Sequence, residues 1–166
     1  MGNTGIFPIV GPWPGSLAIL TRPRAGDWLD DDIAQWKAKG IGVVVCLLTR
    51  DELTELDLTE EGSRVQSQGL TYYWLPIPDR STPSDVADVI DVLGQVTAGL
   101  REGKQVGVHC RQGLGRAPLI AASLLAMAGV DPETAFEQIE QARGVTVPET
   151  PAQRAWVHRI MHSRVI

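Results

Sequence analysis

Cysteine is scarce in this sequence. Cys46 and Cys110 are the only two in 166 residues, too few for a disulfide framework. One sits inside an aliphatic run and the other just ahead of a glycine loop, so they are expected to do different jobs. Basic charge is also short: 15 Lys and Arg against 20 Asp and Glu give a net charge of −5. With no local Lys/Arg run to compensate, nothing offers the electrostatic footprint that a nucleic-acid backbone needs, and no nucleic-acid partner is expected. Long apolar runs are missing too. The longest, near Ile41–Leu48 and Ala117–Val130, are interrupted or too short for a bilayer, and the N-terminus has no basic flank ahead of an apolar stretch. No membrane span is expected, and the cytoplasm is the expected location. There is no internal repeat. Hydrophobic residues at 43% and charged residues at 21% exclude wholesale disorder, collagen and low complexity. What is present is about one domain's worth of chain, so 1–166 is read as a single domain with 1–15 as an irregular arm.

Glycine and proline punctuate Met1–Gly15 and break any period there, apart from Ile6–Val10. Beyond the apolar Leu17–Leu20, a helix is predicted with Asp27 as N-cap, acidic Asp30–Asp32 in its first turns, and Lys37 and Lys39 before Gly40. Ile41–Leu48 is a β-branched and aliphatic run suited to a strand covered on both faces. Leu70–Ile77 repeats that character after a Glu/Ser/Gln-rich helical stretch ending at Gly69. Gln105–His109 repeats it again, after a helix from Pro83–Ser84 carrying Val86, Val89, Ile90, Leu93, Val96 and Leu100 on one stripe. Ala117–Ala128, Pro132–Arg143 and Thr150–Ser163 read as helices, the last two capped by Asp131 and Thr150. Strands alternating with long helices predict an α/β fold with a central, mainly parallel sheet flanked by helices.

Chemistry concentrates in Val106–Arg116, which runs from a strand through Cys110-Arg111-Gln112-Gly113-Leu114-Gly115-Arg116 into a helix. In open α/β sheets ligands bind beyond the carboxyl ends of strands, where Cys110 is expected. Gly113 and Gly115 allow positive φ and close backbone approach, so successive N–H groups can turn inward as an anion nest, reinforced by the helix dipole. A thiol facing those donors and the Arg116 guanidinium is expected largely as thiolate, a ready nucleophile.

His109-Cys110 followed by Arg116 in this strand–loop–helix setting resembles the cysteine-dependent protein tyrosine and dual-specificity phosphatase superfamily. Gly113-Leu114-Gly115-Arg116 is most similar to its compact dual-specificity and kinase-associated branch. The resemblance implies a phosphotyrosine-phosphatase-like fold and hydrolysis of phosphorylated protein through a phosphocysteine, with no cofactor or metal. Cys110 would be the nucleophile, Arg116 the phosphate clamp, and the backbone of Arg111, Gln112, Gly113, Leu114, Gly115 and Arg116 the cradle. His109 would hold the cysteine. Asp79, in Leu75–Pro83 ahead of the long helix, matches the general acid, which protonates a poor leaving oxygen and later deprotonates the attacking water. Asp85 and Asp88 are the alternatives. Gln153 matches the water-positioning glutamine. Ala117 departs from the family's Ser or Thr, whose hydroxyl stabilises the departing thiolate.

Other residues have plainer readings. A strand core accounts for Cys46, and a solvated helix face for His158 and His162, four apart with no third metal ligand in view. Arg80 and Arg111, with Arg22 and Arg24 behind them, are either a phosphate-recruiting rim or surface charges. Trp28, Trp36, Trp74 and Trp156 read as packing residues. Two further functions remain open beside the phosphatase: a phosphate-reading binding module with weak turnover, favoured by Ala117, and a sulfur-transfer or arsenate-reducing enzyme. The last leaves Asp79 without a role.

Overall fold

The computed structural model describes residues 5–84 and 86–161; His162 and Asp85, named above, lie outside them. The strands are β1 (Ile6–Ile9), β2 (Ser16–Leu20), β3 (Val43–Cys46), β4 (Thr71–Trp74) and β5 (Gln105–His109). The helices are α1 (Leu29–Ala38), α2 (Arg50–Glu55), α3 (Glu61–Ser67), α4 (Val86–Arg101), α5 (Arg116–Met127), α6 (Pro132–Arg143) and α7 (Pro151–Ile160). One sheet forms in the order β1-β2-β5-β3-β4. β2, β5, β3 and β4 run parallel, and only β1 is antiparallel, against β2. The expected α/β architecture is therefore present, with β5 at its centre.

Burial explains the strands. β3 is buried along its whole length, as its Val-Val-Val-Cys sequence predicts. Val43 and Val45 face a core shared with α4, α5, α6 and α7, while Val44 and Cys46 face a second core with α1 and α3. The α5 segment is buried at every position and, apart from Arg116 and Ser123, apolar all round, which suits a helix enclosed by the sheet, α6 and α7. Asp131 and Thr150 cap α6 and α7 as expected.

Four expectations need correction. Asp27 does not cap α1: it lies in a 3₁₀ turn, Gly26–Trp28, and Trp28 occupies the N-cap position without a side-chain bond. Leu70–Ile77 is not covered on both faces, because β4 is an edge strand whose residues are partly or fully exposed. The arm is not wholly irregular: Ile6–Ile9, within the stretch whose period survives, pairs as an outer strand, and Pro8 is tolerated there because an edge strand is bonded on one side only. Val86 leaves the predicted apolar stripe and is 47% exposed.

Candidate active site

Cys110 follows β5 directly, at the carboxyl edge of the sheet, and leads through the glycine loop into the N-terminus of α5. Its Sγ accepts the Gly113 N–H at 3.2 Å. Gly113 has φ +75°, the conformation that lets the loop fold back on the sulfur. Of the two reasons expected for Gly115, positive φ and close approach, only close approach applies. Its φ is −128°, but a Cβ there would lie 2.7 Å from Glu149 Oε1 and 3.2 Å from Gln153 Nε2. The loop's carbonyls are drawn outward: Arg22 donates to Arg111 O at 2.6 Å, and Arg143 to Gly113 O at 3.1 Å and Gln112 O at 3.4 Å. Peptide planarity then turns the intervening N–H groups toward the concave side.

Arg116, only 1% exposed, lies at the meeting point of four segments. Its two terminal nitrogens grip Glu52 at 2.6 and 2.9 Å, one also donates to Ile77 O at 2.8 Å, and the other is 3.2 Å from Asp79 Oδ1. None of these contacts uses Nε. Burial opposes its charge, but Glu52, Cys110 and Asp79 outweigh that and raise its pKa further above an already high value. Glu52 is itself held by Thr49 in a capping box that opens α2. Burial pushes the Glu52 carboxyl up, yet the hydrogen bonds from Arg116 and Thr49 prevail and hold it below the usual carboxylate range. Sequence reasoning missed Glu52. The Thr49-x-x-Glu52 pattern could have revealed the helix start, though not the arginine it orients.

Asp79 lies on the turn after β4, 57% exposed, with Ile77 N–H bonded to Leu47 O at 3.1 Å to anchor that loop. Asp79, Cys110, Gln112, Leu114, Gly115 and Arg116 line one cavity of about 240 Å³, joined by Arg80 and Glu149, which pair with each other at 3.2 Å. Glu149 was not foreseen. Gln153 is fully buried and does not line the cavity; its amide donates to Ser81 O at 3.1 Å and accepts from Thr150 N–H at 3.3 Å. Ala117 is fully buried in the first turn of α5, followed by Pro118. Asp88 is exposed on α4 and is not among the cavity's lining residues.

His109 points the other way, into the second core, where its Nε2 meets Glu61 Oε2 at 2.5 Å and its Nδ1 lies 3.4 Å from Cys110 O. Of the remaining arginines, Arg24 is committed to Asp32 at 2.8 and 3.0 Å, and Arg111 sits 3.3 Å from Glu55 and 3.8 Å from Glu52. His158 pairs with Glu133 at 2.8 Å on an exposed face. Trp36 and Trp156 are buried as expected, whereas Trp28 is 56% exposed beside Arg24.

A family model described as a polymorphic toxin system DSP-PTPase phosphatase matches residues 19–130. Cyclin-dependent kinase inhibitor 3 of Rattus norvegicus is 28% identical over 132 residues, 78% of this chain and 62% of that protein. Its Homo sapiens counterpart is 30% identical over 129 residues, 76% of this chain and 60% of that protein. The chain thus spans 62% and 60% of the length of these two relatives. Among solved structures, kinase associated phosphatase with its catalytic site cysteine replaced by serine superimposes with a TM-score of 0.86 at 23% identity, covering 96% of this chain and 95% of that one. That likeness is one of fold. Among the described residues, no helix is long and apolar enough to cross a membrane.

Proposed function

This chain belongs to the DSP-PTPase phosphatase family, and from that premise we propose that it hydrolyses phosphate monoesters on phosphorylated protein side chains through a phosphocysteine. The observation that carries the reading is one cavity in which a cysteine sulfur, a buried guanidinium and an exposed carboxyl converge: Cys110, Arg116 and Asp79. In the first step Cys110 Sγ attacks phosphorus and the ester oxygen departs with a proton from Asp79. In the second, water loses a proton to Asp79 and attacks the same phosphorus, which releases inorganic phosphate and returns the thiolate. The inward N–H groups of the Arg111–Arg116 loop, with the Arg116 Nε–H that Glu52, Ile77 and Asp79 leave uncommitted, would hold the equatorial oxygens, and the same arrangement suits phosphate, sulfate and vanadate. His109, bonded to Cys110 O, would hold the nucleophile's backbone. Gln153 is better suited to tie the acid loop to α7 through Ser81 than to meet water.

Ala117 gives the departing thiolate no hydroxyl, so breakdown of phosphocysteine is the slower step. A hydrogen bond to a charged group is worth roughly 1.5–3 kcal/mol, about ten- to a hundredfold in rate when made fully in the transition state. Rapid mixing with para-nitrophenyl phosphate should therefore release a burst of nitrophenol near one equivalent per chain, followed by slow turnover. Cys110→Ser should show neither phase. Hydrolysis that survives the substitution would remove the proposal, and a burst with no turnover would make the protein a phosphate-reading module instead.

A further inference from the structure

Behind the loop, on the face of the sheet turned away from the cavity, lies a buried polar cluster that the proposed reaction does not use directly. Cys46 and His109 are register partners on β3 and β5, and their side chains share that face. Glu61, the first residue of α3, comes down on them, and one ligating atom from each of the three lies within 4.8 Å of the others. Tyr72 from β4 borders Cys46 and Glu61, and the Trp36 ring from α1 stands 6.0 Å from the His109 ring. The His109 and Glu61 side chains are 0% exposed.

Both nitrogens of the His109 ring face oxygen: Nε2 meets the Glu61 carboxylate at 2.5 Å, and Nδ1 meets the Cys110 carbonyl at 3.4 Å. A carbonyl oxygen only accepts, so Nδ1 must carry a hydrogen for that contact to be attractive. A neutral ring has one N–H and would then present a bare Nε2 to a carboxylate. An imidazolium satisfies both sides at once. Glu61 is the acidic side chain in contact with the ring, and its second oxygen, Oε1, is buried with no hydrogen-bond partner among the described residues.

We propose that Glu61 is a positioning residue for the nucleophile: it keeps His109 as an imidazolium whose Nδ1–H holds the Cys110 carbonyl, fixing the strand-to-loop junction and placing a buried positive charge one residue from the sulfur. This rests on the phosphocysteine reading above for its functional meaning, though not for its protonation state. The charges facing the ring agree. Burial opposes the imidazolium, but Glu61 and Cys46 outweigh it and raise the His109 pKa well above its ordinary value. Burial, Glu61 and Cys46 push the Tyr72 phenol far up, so it stays neutral. Trp36 carries no charge.

The test begins with the native chain. Nitrogen-15 spectra of its histidines should show both His109 ring nitrogens protonated, without titration, from pH 5 to 8. This readout does not depend on turnover, so it separates failure of the positioning role from failure of the phosphatase reading. In Glu61→Gln, where burial acts without the carboxylate, the ring should be neutral at pH 8. The rate on para-nitrophenyl phosphate should then fall about tenfold relative to native at that pH, because the neutral ring keeps its Nδ1–H on the Cys110 carbonyl but no longer places a positive charge beside the sulfur, with the deficit shrinking toward pH 5 as the ring regains its proton. Vanadate affinity should fall in parallel. A neutral His109 ring in the native chain would overturn the proposal, whether the proton sat on Glu61 or a stoichiometric zinc ion held the three side chains. A folded Glu61→Gln chain with a native pH profile would overturn it equally.

Discussion

Asp79 shows how much of this site depends on a single side chain held in one place. Its carboxyl is largely exposed, yet it sits 3.2 Å from Arg116 and borders the same cavity as Cys110. In the first step an acid in that position matters only when the leaving oxygen needs a proton. Asp79→Asn should therefore slow hydrolysis of an alkyl or unactivated aryl phosphate by roughly 10²–10⁴-fold, while a nitrophenyl ester, whose leaving group is already stable, should lose much less. Burst rates on the two esters measure this directly, because they report the first step and not the breakdown of phosphocysteine. Equal losses on both would move the acid elsewhere, and Glu149, on the same cavity wall, would become the candidate.

At the level of elements, the legible parts were those coded by neighbours in sequence. The β-branched runs gave β3 and β5, Asp131 and Thr150 gave two helix starts, and the loop from Cys110 to Arg116 carried its own geometry. The parts that stayed hidden depend on distant partners. Glu52 is 64 positions from Arg116, Glu61 is 48 from His109, and Glu149 is 69 from Arg80. No local period marks such pairs. The β4 edge was misread because an aromatic, β-prone sequence has the same pattern whether or not a helix covers it. Gly115 is needed for close approach and not for a positive φ, and that cause yields a prediction. With φ negative, the methyl of alanine is the decisive change: it would press on Glu149, which can swing aside, and on Gln153, which is fully buried. Gly115→Ala should lower unfolding free energy by about 1–3 kcal/mol, as overpacking does, and loosen Ser81 and the acid loop through Gln153. Denaturant unfolding of the variant checks the cost, and unchanged stability would mean that Gln153 is not pinned as described.

Across the whole molecule, Arg116 and Glu52 join segments that no single core would hold in register. The pair links α2 and α5, Arg116 bonds the acid loop at Ile77, and Glu52 is fixed in turn by Thr49 at the end of the β3 segment. Two buried charges this close are a poor source of net stability, but removing one partner strands the other, at a cost of roughly 3–5 kcal/mol for fully buried pairs. The carboxyl of Glu52 is held below its ordinary range in the folded chain, so its contribution is complete above its unfolded pKa and is lost as pH falls through the lower folded value. Protonation then leaves Arg116 facing a neutral acid in a site it cannot leave. Thermal unfolding followed from pH 7 down to pH 3 should show the native midpoint falling most steeply below about pH 4.3, the ordinary range of glutamate. Glu52→Gln should start lower at pH 7, bounded by that stranding cost and softened by the remaining contacts of Arg116 with Asp79 and Ile77. Its midpoint should also change less over the same acid range, because the titrating group is gone. Parallel curves for the two proteins would show that the buried pair is not what couples stability to pH, and would shift that role to the other carboxylates of the fold.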